Sequence, residues 1–266
     1  MVDRLEDALL LISCETNLKV YMYNHIKQFL KILLSKRILF KYEPIFRCLF
    51  FQFYRGKNYH CYICNRSLRK FIPLTDRDKL CPYCGSISRN RRLWKLLDSE
   101  FLRPKTEVLD FSPARCIYRA FKKNHIISYT STDISGDFLS ERKYDITNID
   151  VQDESYDLVI CYHVLEHIEN DIQAMKELYR VLKNKGICLI QTPFKEGEIY
   201  ENPSIKAEED RLQHFGQKDH VRIYSVKGLK ERLSNCGLHV EIREYNEDIN
   251  NIYGLKDKEV ILVCTK

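Results

Sequence analysis

The chain has 266 residues, of which 44% are hydrophobic and 30% charged, and its formal net charge is +6. These values are ordinary for a folded globular protein, and with only nine glycines and seven prolines they exclude a collagen-like or wholly disordered chain. The longest uncharged stretches, such as 186–194, are far shorter than the ~20 apolar residues of a membrane-spanning helix. The first residues carry acids where a signal peptide is positively charged, so we expect a cytoplasmic protein with no transmembrane segment.

The charge is unevenly distributed along the chain. Residues 1–105 contain 21 Lys and Arg against 9 Asp and Glu, whereas residues 106–266 contain 22 against 28. A basic first part indicates either a polyanionic partner, such as nucleic acid or an anionic membrane surface, or a solvated basic face with no partner. The oligomeric state cannot be predicted from this pattern.

Residues 1–56 are predicted to form a helical segment. Apolar residues recur at helical spacing in Leu5–Ile12 and Tyr21–Leu34, and Pro44 is expected to break the pattern. The following run, Ile45–Tyr54, is apolar and aromatic. It either packs on the rest of the protein or lies at a membrane surface, and we favour packing.

Residues 57–100 are predicted to form a small zinc-ribbon-like domain. Four of the eleven cysteines have the spacing C-x2-C-x16-C-x2-C, which is typical of a structural zinc site. Four thiolates complete the tetrahedral coordination of Zn²⁺ and leave no open position, which indicates a role in folding. Gly85, and Asn65 in the equivalent place, would allow each turn to close with a positive φ. The expected ligands are Cys61, Cys64, Cys81 and Cys84.

The remaining cysteines are expected to be mostly buried free thiols, since they lie in apolar runs. After the second cysteine pair, Arg89, Arg91, Arg92 and Trp94 open a predicted helix. These side chains either contact phosphate and base or, as we favour for Trp94, pack in a core between two domains.

Residues 101–266 alternate short apolar strands with helical segments. Strands are predicted at 107–111, 126–133, 156–161, 186–192, 238–245 and 260–264, with a further short strand just before Asp145, and helices at 114–124, 170–182 and 226–236. This alternation predicts an α/β, doubly wound, mostly parallel seven-stranded sheet. Ligands of such sheets bind at the carboxyl ends of the strands.

Three carboxylates lie where that rule makes them useful. Asp110 is near the end of the first strand, Asp133 ends the second, and Asp145 follows the third. An acid at the end of the second strand can accept hydrogen bonds from both ribose hydroxyls of a nucleoside cofactor. Each acid alone is weak evidence, but the order and spacing of the three are much stronger.

The order of these segments resembles that of class I S-adenosylmethionine-dependent methyltransferases of the type 11-like group, which includes quinone-biosynthesis methyltransferases. The resemblance is carried by VLDF at 108–111, Asp133, Asp145, SYDLVICYHVLEHIEN at 155–170 and ELYRVLKNKGICLIQTP at 177–193. It implies a Rossmann-like fold and S-adenosylmethionine as cofactor. It also implies that the cofactor is bound by Asp110, Phe111, Ser112, Ala114, Asp133, Asp145, Ile146, Cys161 and His163.

The segment 110–116 departs from the family pattern, which is an acid followed by a glycine-rich loop. Here it reads DFSPARC and contains no glycine. Small residues at 112–114 still permit close approach of the backbone to a cofactor, and we favour an active variant. The alternative is a degenerate methyltransferase fold that acts as a non-catalytic zinc-containing module binding nucleic acid or protein.

The segment 194–224 follows the fifth strand and is expected to lie over the carboxyl edge of the sheet. Its polar group includes the two candidate catalytic residues, His220 and Arg222. Alternation over 220–224 predicts that Val221 and Ile223 are buried while His220 and Arg222 face the pocket. His220 is either a general base or a structural hydrogen-bonding residue. The acceptor of the methyl group is expected to be RNA or a small molecule or saccharide.

Overall fold

The computed structural model describes residues 36–74, 78–246 and 250–266. The predicted helical stretches at 5–12 and 21–34 lie outside these residues. The chain divides into two compact units, Met1–Phe53 and Tyr54–Lys266. Over the described ranges, every helix is too short or too polar to cross a membrane.

The described part of the first unit is the helix α1, Lys36–Phe51. The prediction that Pro44 interrupts the helix is wrong, because α1 continues through this residue. A proline inside a helix removes only one backbone hydrogen bond, so the apolar residues on either side can still form one helix. Ile38, Tyr42, Ile45 and Leu49 recur at helical spacing, and their side chains are exposed.

The second unit begins with the segment that carries the cysteine pairs. The strands β1 (Arg55–Cys61) and β2 (Arg66–Leu68) pair antiparallel, as do β3 (Ile72–Pro73) and β4 (Lys79–Leu80). The helix α2, Ser88–Leu96, follows the second cysteine pair. A short π-helical turn, Leu97–Phe101, leads from α2 into the main sheet.

The main sheet has the strand order β11-β12-β8-β7-β5-β6. Its strands are β5 (Glu107–Phe111), β6 (Ser128–Thr132), β7 (Tyr156–Tyr162), β8 (Leu182–Gln191), β11 (His239–Asn246) and β12 (Lys258–Thr265). The four strands β6, β5, β7 and β8 are parallel, and β12 pairs antiparallel with both β8 and β11. This mostly parallel sheet confirms the predicted fold class.

Within the described residues the sheet has six strands, so the predicted number of seven is wrong. The expected third strand, just before Asp145, is replaced by isolated bridges from Thr132 to Arg142 and from Asp145 to Asn148. Asp145 accepts hydrogen bonds from the backbone N and the hydroxyl of Thr147, at 2.8 and 2.7 Å. This local turn competes with an extended conformation.

Both faces of the sheet are covered, because its buried strands alternate apolar side chains between them. One face packs against α4 (Asp171–Val181) and α6 (Val226–Asn235). The other packs against α2 and α3 (Arg115–Phe121). The first core lies between the sheet and helices α4 and α6, and the second core lies between the sheet and helices α2 and α3. Residues in β7 show the alternation, since Val159 belongs to the first core and Leu158 to the second.

The helix α2 anchors the cysteine segment to the sheet. Trp94 packs against the second core, and its ring lies 5.0 Å from that of Phe121, which confirms the packing interpretation. Arg91 is fully buried and donates hydrogen bonds to four backbone carbonyls, those of Lys79, Ser86, Tyr253 and Gly254. These contacts give Arg91 a structural role. The domain boundaries at 56/57 and 100/101 stay a prediction.

The cysteines outside the two pairs are free thiols where the structure describes them. Four are buried, as predicted: Cys116, Cys161, Cys188 and Cys264. Cys236 is partly buried, Cys48 is exposed, and Cys14 lies outside the described residues.

The segment between β8 and α6 crosses the carboxyl edge of the parallel strands. It contains β9 (Tyr200–Glu201), α5 (Glu208–Phe215) and β10 (Arg222–Ile223), and β9 and β10 pair antiparallel. The backbone N of Val221 donates to the carbonyl oxygen of Glu166 at 2.9 Å. This bond holds residues 220–222 against the turn that follows β7.

Candidate functional site

The carboxyl ends of three neighbouring parallel strands bring together the predicted cofactor residues. Phe111, at the end of β5, is in register with Thr132 of β6 and with Cys161 of β7. The next residues along these strands therefore leave the sheet at the same edge. They lead into Ser112, Asp133 and His163, three of the predicted site residues.

The turn after β5 achieves a positive φ without glycine. Ser112 has φ +49°, in the left-handed region that glycine adopts most easily. Its backbone N donates to the carbonyl oxygen of Thr132 at 2.8 Å, and its hydroxyl donates to Asp133 Oδ1 at 2.9 Å. These two bonds to the neighbouring strand end stabilise the conformation. Ala114, two residues on, precedes α3 and is partly buried.

The Asp133 carboxylate is 3% exposed and fully hydrogen-bonded. Besides Ser112, it accepts from the hydroxyl of Ser135 at 2.9 Å and from the backbone N of Asp137 and Phe138 at 3.0 and 3.3 Å. A carboxylate has about four lone-pair sites, so a ribose must replace existing bonds. The two serine hydroxyls can rotate away, whereas the two amides keep the carboxylate in place.

This donor and acceptor set fits a nucleoside cofactor. Asp133 is an acceptor fixed at a strand end, and the next side chain, Ile134, is 62% exposed and apolar, as is suitable for contact with an adenosine. Phe111, Ile146 and Cys161 are buried in the core beneath. Asp145 is exposed beyond Ile146.

Asp110 lies under the turn rather than in it. Its carboxyl is 2% exposed, and Tyr129 donates to its Oδ2 at 3.0 Å. Burial raises the pKa of Asp110 to about 8, because desolvation penalises the charged form more than the Tyr129 hydrogen bond favours it.

A cluster of histidines and a glutamate lies beside these strand ends. His163 has φ +55°, and its Nδ1 lies 3.2 Å from Glu166 Oε1. The Glu166 side chain is 1% exposed. Burial lowers the pKa of His163. Burial would raise the pKa of Glu166, but the close approach of the His163 imidazole brings it below its ordinary value.

His220 reaches the same cluster from the other segment. It is 3% exposed, its Nδ1 donates to the carbonyl oxygen of Phe215 at 3.2 Å, and its ring centroid lies 4.7 Å from that of His167. Burial lowers its pKa, and the nearby His167 adds to this effect. His220 is therefore a neutral imidazole near pH 7, which is the form that can accept a proton.

The guanidinium of Arg222 is occupied by structural contacts. It donates to Glu201 Oε2 at 2.8 Å and to the carbonyl oxygens of Leu165, Ile168 and Glu169. These bonds favour a positioning role, in which Arg222 holds the turn 165–169. The catalytic assignments of both His220 and Arg222 stay predictions.

The alternation predicted for 220–224 is present, but its buried face is the opposite of the expected one. His220, Arg222 and Tyr224 are buried, whereas Val221 and Ile223 are only partly buried. The prediction that the apolar pair is buried is therefore wrong. Polar side chains can be buried here because each makes at least one hydrogen bond, as Tyr224 does with Asp171 Oδ2 at 2.6 Å and His220 does through Nδ1.

The four paired cysteines form a second cluster. Their sulfur atoms all lie within 4.8 Å of one another, with Cys61 to Cys84 at 3.6 Å and Cys64 to Cys81 at 3.8 Å. A tetrahedral zinc ion with Zn–S bonds of about 2.3 Å requires S–S separations of about 3.8 Å. The arrangement therefore fits Zn²⁺.

Each cysteine pair sits in a tight turn of the predicted kind. Asn65 N donates to Cys61 O at 2.9 Å, and Gly85 N donates to Cys81 O at 3.0 Å. Asn65 and Gly85 have φ values of +53° and +75°, which confirms the left-handed conformation expected for both.

An open depression lies elsewhere, at the amino edge of the sheet. Its volume is about 510 Å³, and it is lined by Thr106 and Asp157, where β5 and β7 begin, together with Lys183 of β8. We assign the site to the carboxyl edge because the chemically competent groups converge there.

Three residues of this region are not among the site residues predicted from the sequence: Ile134, Glu166 and His167. The spacing H-x-x-E-H over 163–167 places His163 and Glu166 three residues apart, and it was the available signal for the cluster.

Comparison with known proteins identifies the type of domain. A family model described as a methyltransferase domain matches residues 86–241. A Methanocaldococcus jannaschii protein described as the uncharacterized protein MJ0638 is 40% identical over 65 residues, or 24% of this chain and 28% of that protein. The ubiquinone biosynthesis O-methyltransferase of Rickettsia bellii is 34% identical over 115 residues, or 42% of this chain and 45% of that enzyme. The chain thus matches less than half the length of these curated relatives.

The solved structures to which the chain is similar include those of two Bacillus proteins. The YcgJ protein of Bacillus subtilis aligns with a TM-score of 0.48 at 14% identity, covering 66% of this chain and 98% of its own. A methyltransferase of Bacillus halodurans aligns with a TM-score of 0.46 at 17% identity, covering 65% and 97%.

Proposed function

Because the chain belongs to the methyltransferase domain family, we propose that its cofactor lies across the carboxyl ends of β5, β6 and β7 and that its acceptor enters beside His220. The protein is an S-adenosylmethionine-dependent methyltransferase. When bound, the cofactor supplies an electrophilic methyl group on a sulfonium.

The observation that carries the proposal is the convergence of Ser112, Asp133 and His163 at adjacent strand ends. Asp133 would accept hydrogen bonds from the ribose hydroxyls after Ser112 and Ser135 rotate away, and Ile134 would contact the adenosine. The backbone of 112–114 would approach the amino-acid part of the cofactor. Asp145 and Ile146 would bound the adenine side. The family match does not favour the non-catalytic alternative.

His220 is proposed to face the acceptor. Its buried neutral imidazole can take a proton from an O–H or N–H group or orient the acceptor by a hydrogen bond. Arg222 would fix the loop beside it. The acceptor is RNA or a small molecule or saccharide. The partial similarity to a ubiquinone biosynthesis O-methyltransferase supports an oxygen acceptor.

The cysteine cluster is proposed to hold a structural Zn²⁺. Its geometry supports this role, since four thiolates leave no position for a substrate. The basic residues of 1–105 would help to hold a polyanionic acceptor if the acceptor is RNA. Ten free thiols in the described ranges support a reducing compartment, the cytoplasm.

Calorimetric titration of the zinc-loaded protein with S-adenosylmethionine and with its demethylated product tests the cofactor site. We expect binding of both, weakened at least about tenfold in Asp133→Asn, because each charge-assisted hydrogen bond is worth about 1.5–3 kcal/mol. The exposed Asp150 provides a control, and Asp150→Asn should bind as the wild type does. An unchanged dissociation constant in Asp133→Asn would place the cofactor elsewhere.

The acceptor is best sought by comparing methylated products from cells with and without the gene by mass spectrometry. The RNA and small-molecule fractions are analysed separately. A methylated species that disappears with the gene and returns with the wild type, but not with Asp133→Asn, identifies the acceptor class.

A further inference from the structure

We propose that Glu166, His167 and His220 form a binding site for one divalent transition-metal ion, distinct from the cysteine cluster. A ligand atom from each of the three residues lies within 4.8 Å of the other two. Donor atoms around an ion with bonds of about 2.1 Å are about 3–4 Å apart, so a contraction of about 1 Å would complete the site.

The cluster contains buried polar atoms that have no hydrogen-bonding partner. Within residues 36–74, 78–246 and 250–266, these include both carboxylate oxygens of Glu166 and the Nε2 atom of His220. Glu166 Oε1 lies 3.2 Å from His163 Nδ1, a contact that is an ion pair only when His163 is protonated. Buried polar groups are normally satisfied, because leaving one unpaired costs about 1–3 kcal/mol. An ion between these atoms would satisfy them together.

Both histidines are oriented as metal ligands usually are. His167 Nδ1 lies 3.1 Å from Asp219 Oδ2, and His220 Nδ1 donates to the carbonyl oxygen of Phe215. Each ring thus uses Nδ1 for an outer acceptor and leaves Nε2 for an ion. Histidine ligands characteristically donate their other ring nitrogen to a carboxylate or a carbonyl in this way.

The two segments that supply the ligands are fixed to each other. Val221 N donates to Glu166 O, and Arg222 donates to the carbonyl oxygens of Leu165 and Glu169. His163 lies against the Glu166 carboxylate and would orient it. Arg222 is therefore a positioning residue for this cluster.

Two imidazoles and one carboxylate leave at least one coordination position open, as in catalytic zinc sites. The ion would bind an oxygen atom of the acceptor and lower the pKa of an acceptor hydroxyl. With Nδ1 on Phe215 and Nε2 on the ion, His220 would then orient the acceptor through the metal and would not act as the base. This part of the inference rests on the proposed function. It names hydroxyl-bearing molecules as the acceptor class.

The test is the number of zinc ions per chain, measured by elemental analysis after dialysis of the full-length protein against zinc-buffered solution. We expect two in the wild type and one in both Glu166→Gln and His220→Gln. His214, an exposed histidine on α5, provides the control, and His214→Gln should keep two. A metal content that is the same in the wild type, Glu166→Gln and His220→Gln would overturn the proposal.

Cobalt substitution gives a second measurement that does not depend on the variants. Cobalt in the cysteine cluster gives thiolate charge-transfer absorption. A second equivalent should add visible ligand-field bands without further charge transfer. Absence of that second phase would contradict the site. A protein that binds S-adenosylmethionine and keeps its full metal content in Glu166→Gln would disprove this inference alone. A protein that loses one metal in Glu166→Gln but does not bind S-adenosylmethionine would disprove the proposed function alone.

Discussion

Arg91 Nη2 donates a hydrogen bond of 2.5 Å to the carbonyl oxygen of Gly254, and so joins the cysteine segment to the loop between β11 and β12. Its ring neighbour is Phe71, with the guanidinium carbon 4.1 Å from the ring centroid. Gly254 has φ +60°, and a Cβ at this position would lie 2.5 Å from Phe71. The contact therefore requires glycine at 254 and a planar, multiply donating cation at 91.

Replacing Arg91 should destabilise the whole second unit. Arg91→Met leaves four carbonyl oxygens without their donor, two of them in buried and two in partly buried bonds, so we expect a loss of at least about 3 kcal/mol in the free energy of unfolding. Chemical denaturation followed by circular dichroism measures it. The exposed Arg103 is the control, and Arg103→Met should change stability by less than about 0.5 kcal/mol. Equal stability of the two variants would contradict the structural role.

Loss of one zinc ligand should destabilise residues beyond the two cysteine turns. In Cys81→Ser the metal is lost and α2, which begins just after the second pair, loses its support on the sheet core. We expect less zinc per chain and a lower melting temperature for the second unit. Cys48→Ser, at an exposed thiol of α1, should change neither. Full zinc retention in Cys81→Ser would disprove the ligand assignment.

Asp110 should make stability fall as the pH rises. Because burial raises its pKa to about 8, the folded protein keeps a proton that the unfolded chain releases near pH 4. The stabilisation that Asp110 contributes is complete below the pKa that it has in the unfolded chain. It is lost as the pH rises through the pKa that Asp110 has in the folded protein. Between pH 6 and pH 8 the loss should be roughly 2 kcal/mol, and Asp110→Asn should remove it.

The comparison is made on zinc-loaded protein without cofactor, so that other titrating groups contribute equally to both proteins. Parallel curves of unfolding free energy against pH for the wild type and Asp110→Asn would show that Asp110 does not titrate in this range.

His220 and Arg222 should differ in their kinetic effects once the acceptor is known. If His220 is the base, His220→Ala should reduce turnover by a factor on the order of 10²–10⁴ with cofactor affinity nearly intact. If it orients the acceptor, the Michaelis constant for the acceptor should rise instead. Arg222→Lys, which cannot make the same set of bonds, should lower turnover and stability together. An unchanged rate in His220→Ala would exclude both roles.

The strands of the sheet could be predicted because the hydrophobic pattern of each one is strong and lies within a single short segment. The runs at 107–111 and 156–161 are apolar on both faces, as buried parallel strands are, and the structure places strands there within one residue. The helices after them follow amphipathic patterns. The third strand was not predictable in this way, since the turn at Asp145 depends on a side-chain hydrogen bond to Thr147.

The site was only partly predictable, because burial of polar groups depends on partners distant in sequence. Nothing local indicates that Arg222 meets carbonyls more than 50 residues earlier in the chain. The same holds for His220, whose neighbour His167 arrives from another strand end. Alternation gave the correct two faces but could not show which one faces inward.

The antiparallel strand β12 has a consequence for the order in which the protein is made. It lies between β8 and β11, which precede it in the chain, and among the described residues β12 is the only main-sheet strand that pairs with β11. A nascent chain that has emerged only as far as β11 therefore exposes one edge of β8, and β11 lacks its partner strand, β12. Unpaired edges of this kind attract other chains. Completion of the sheet must await residues 258–265, and we expect the ribosome-bound chain to need protection of the β8 edge until then.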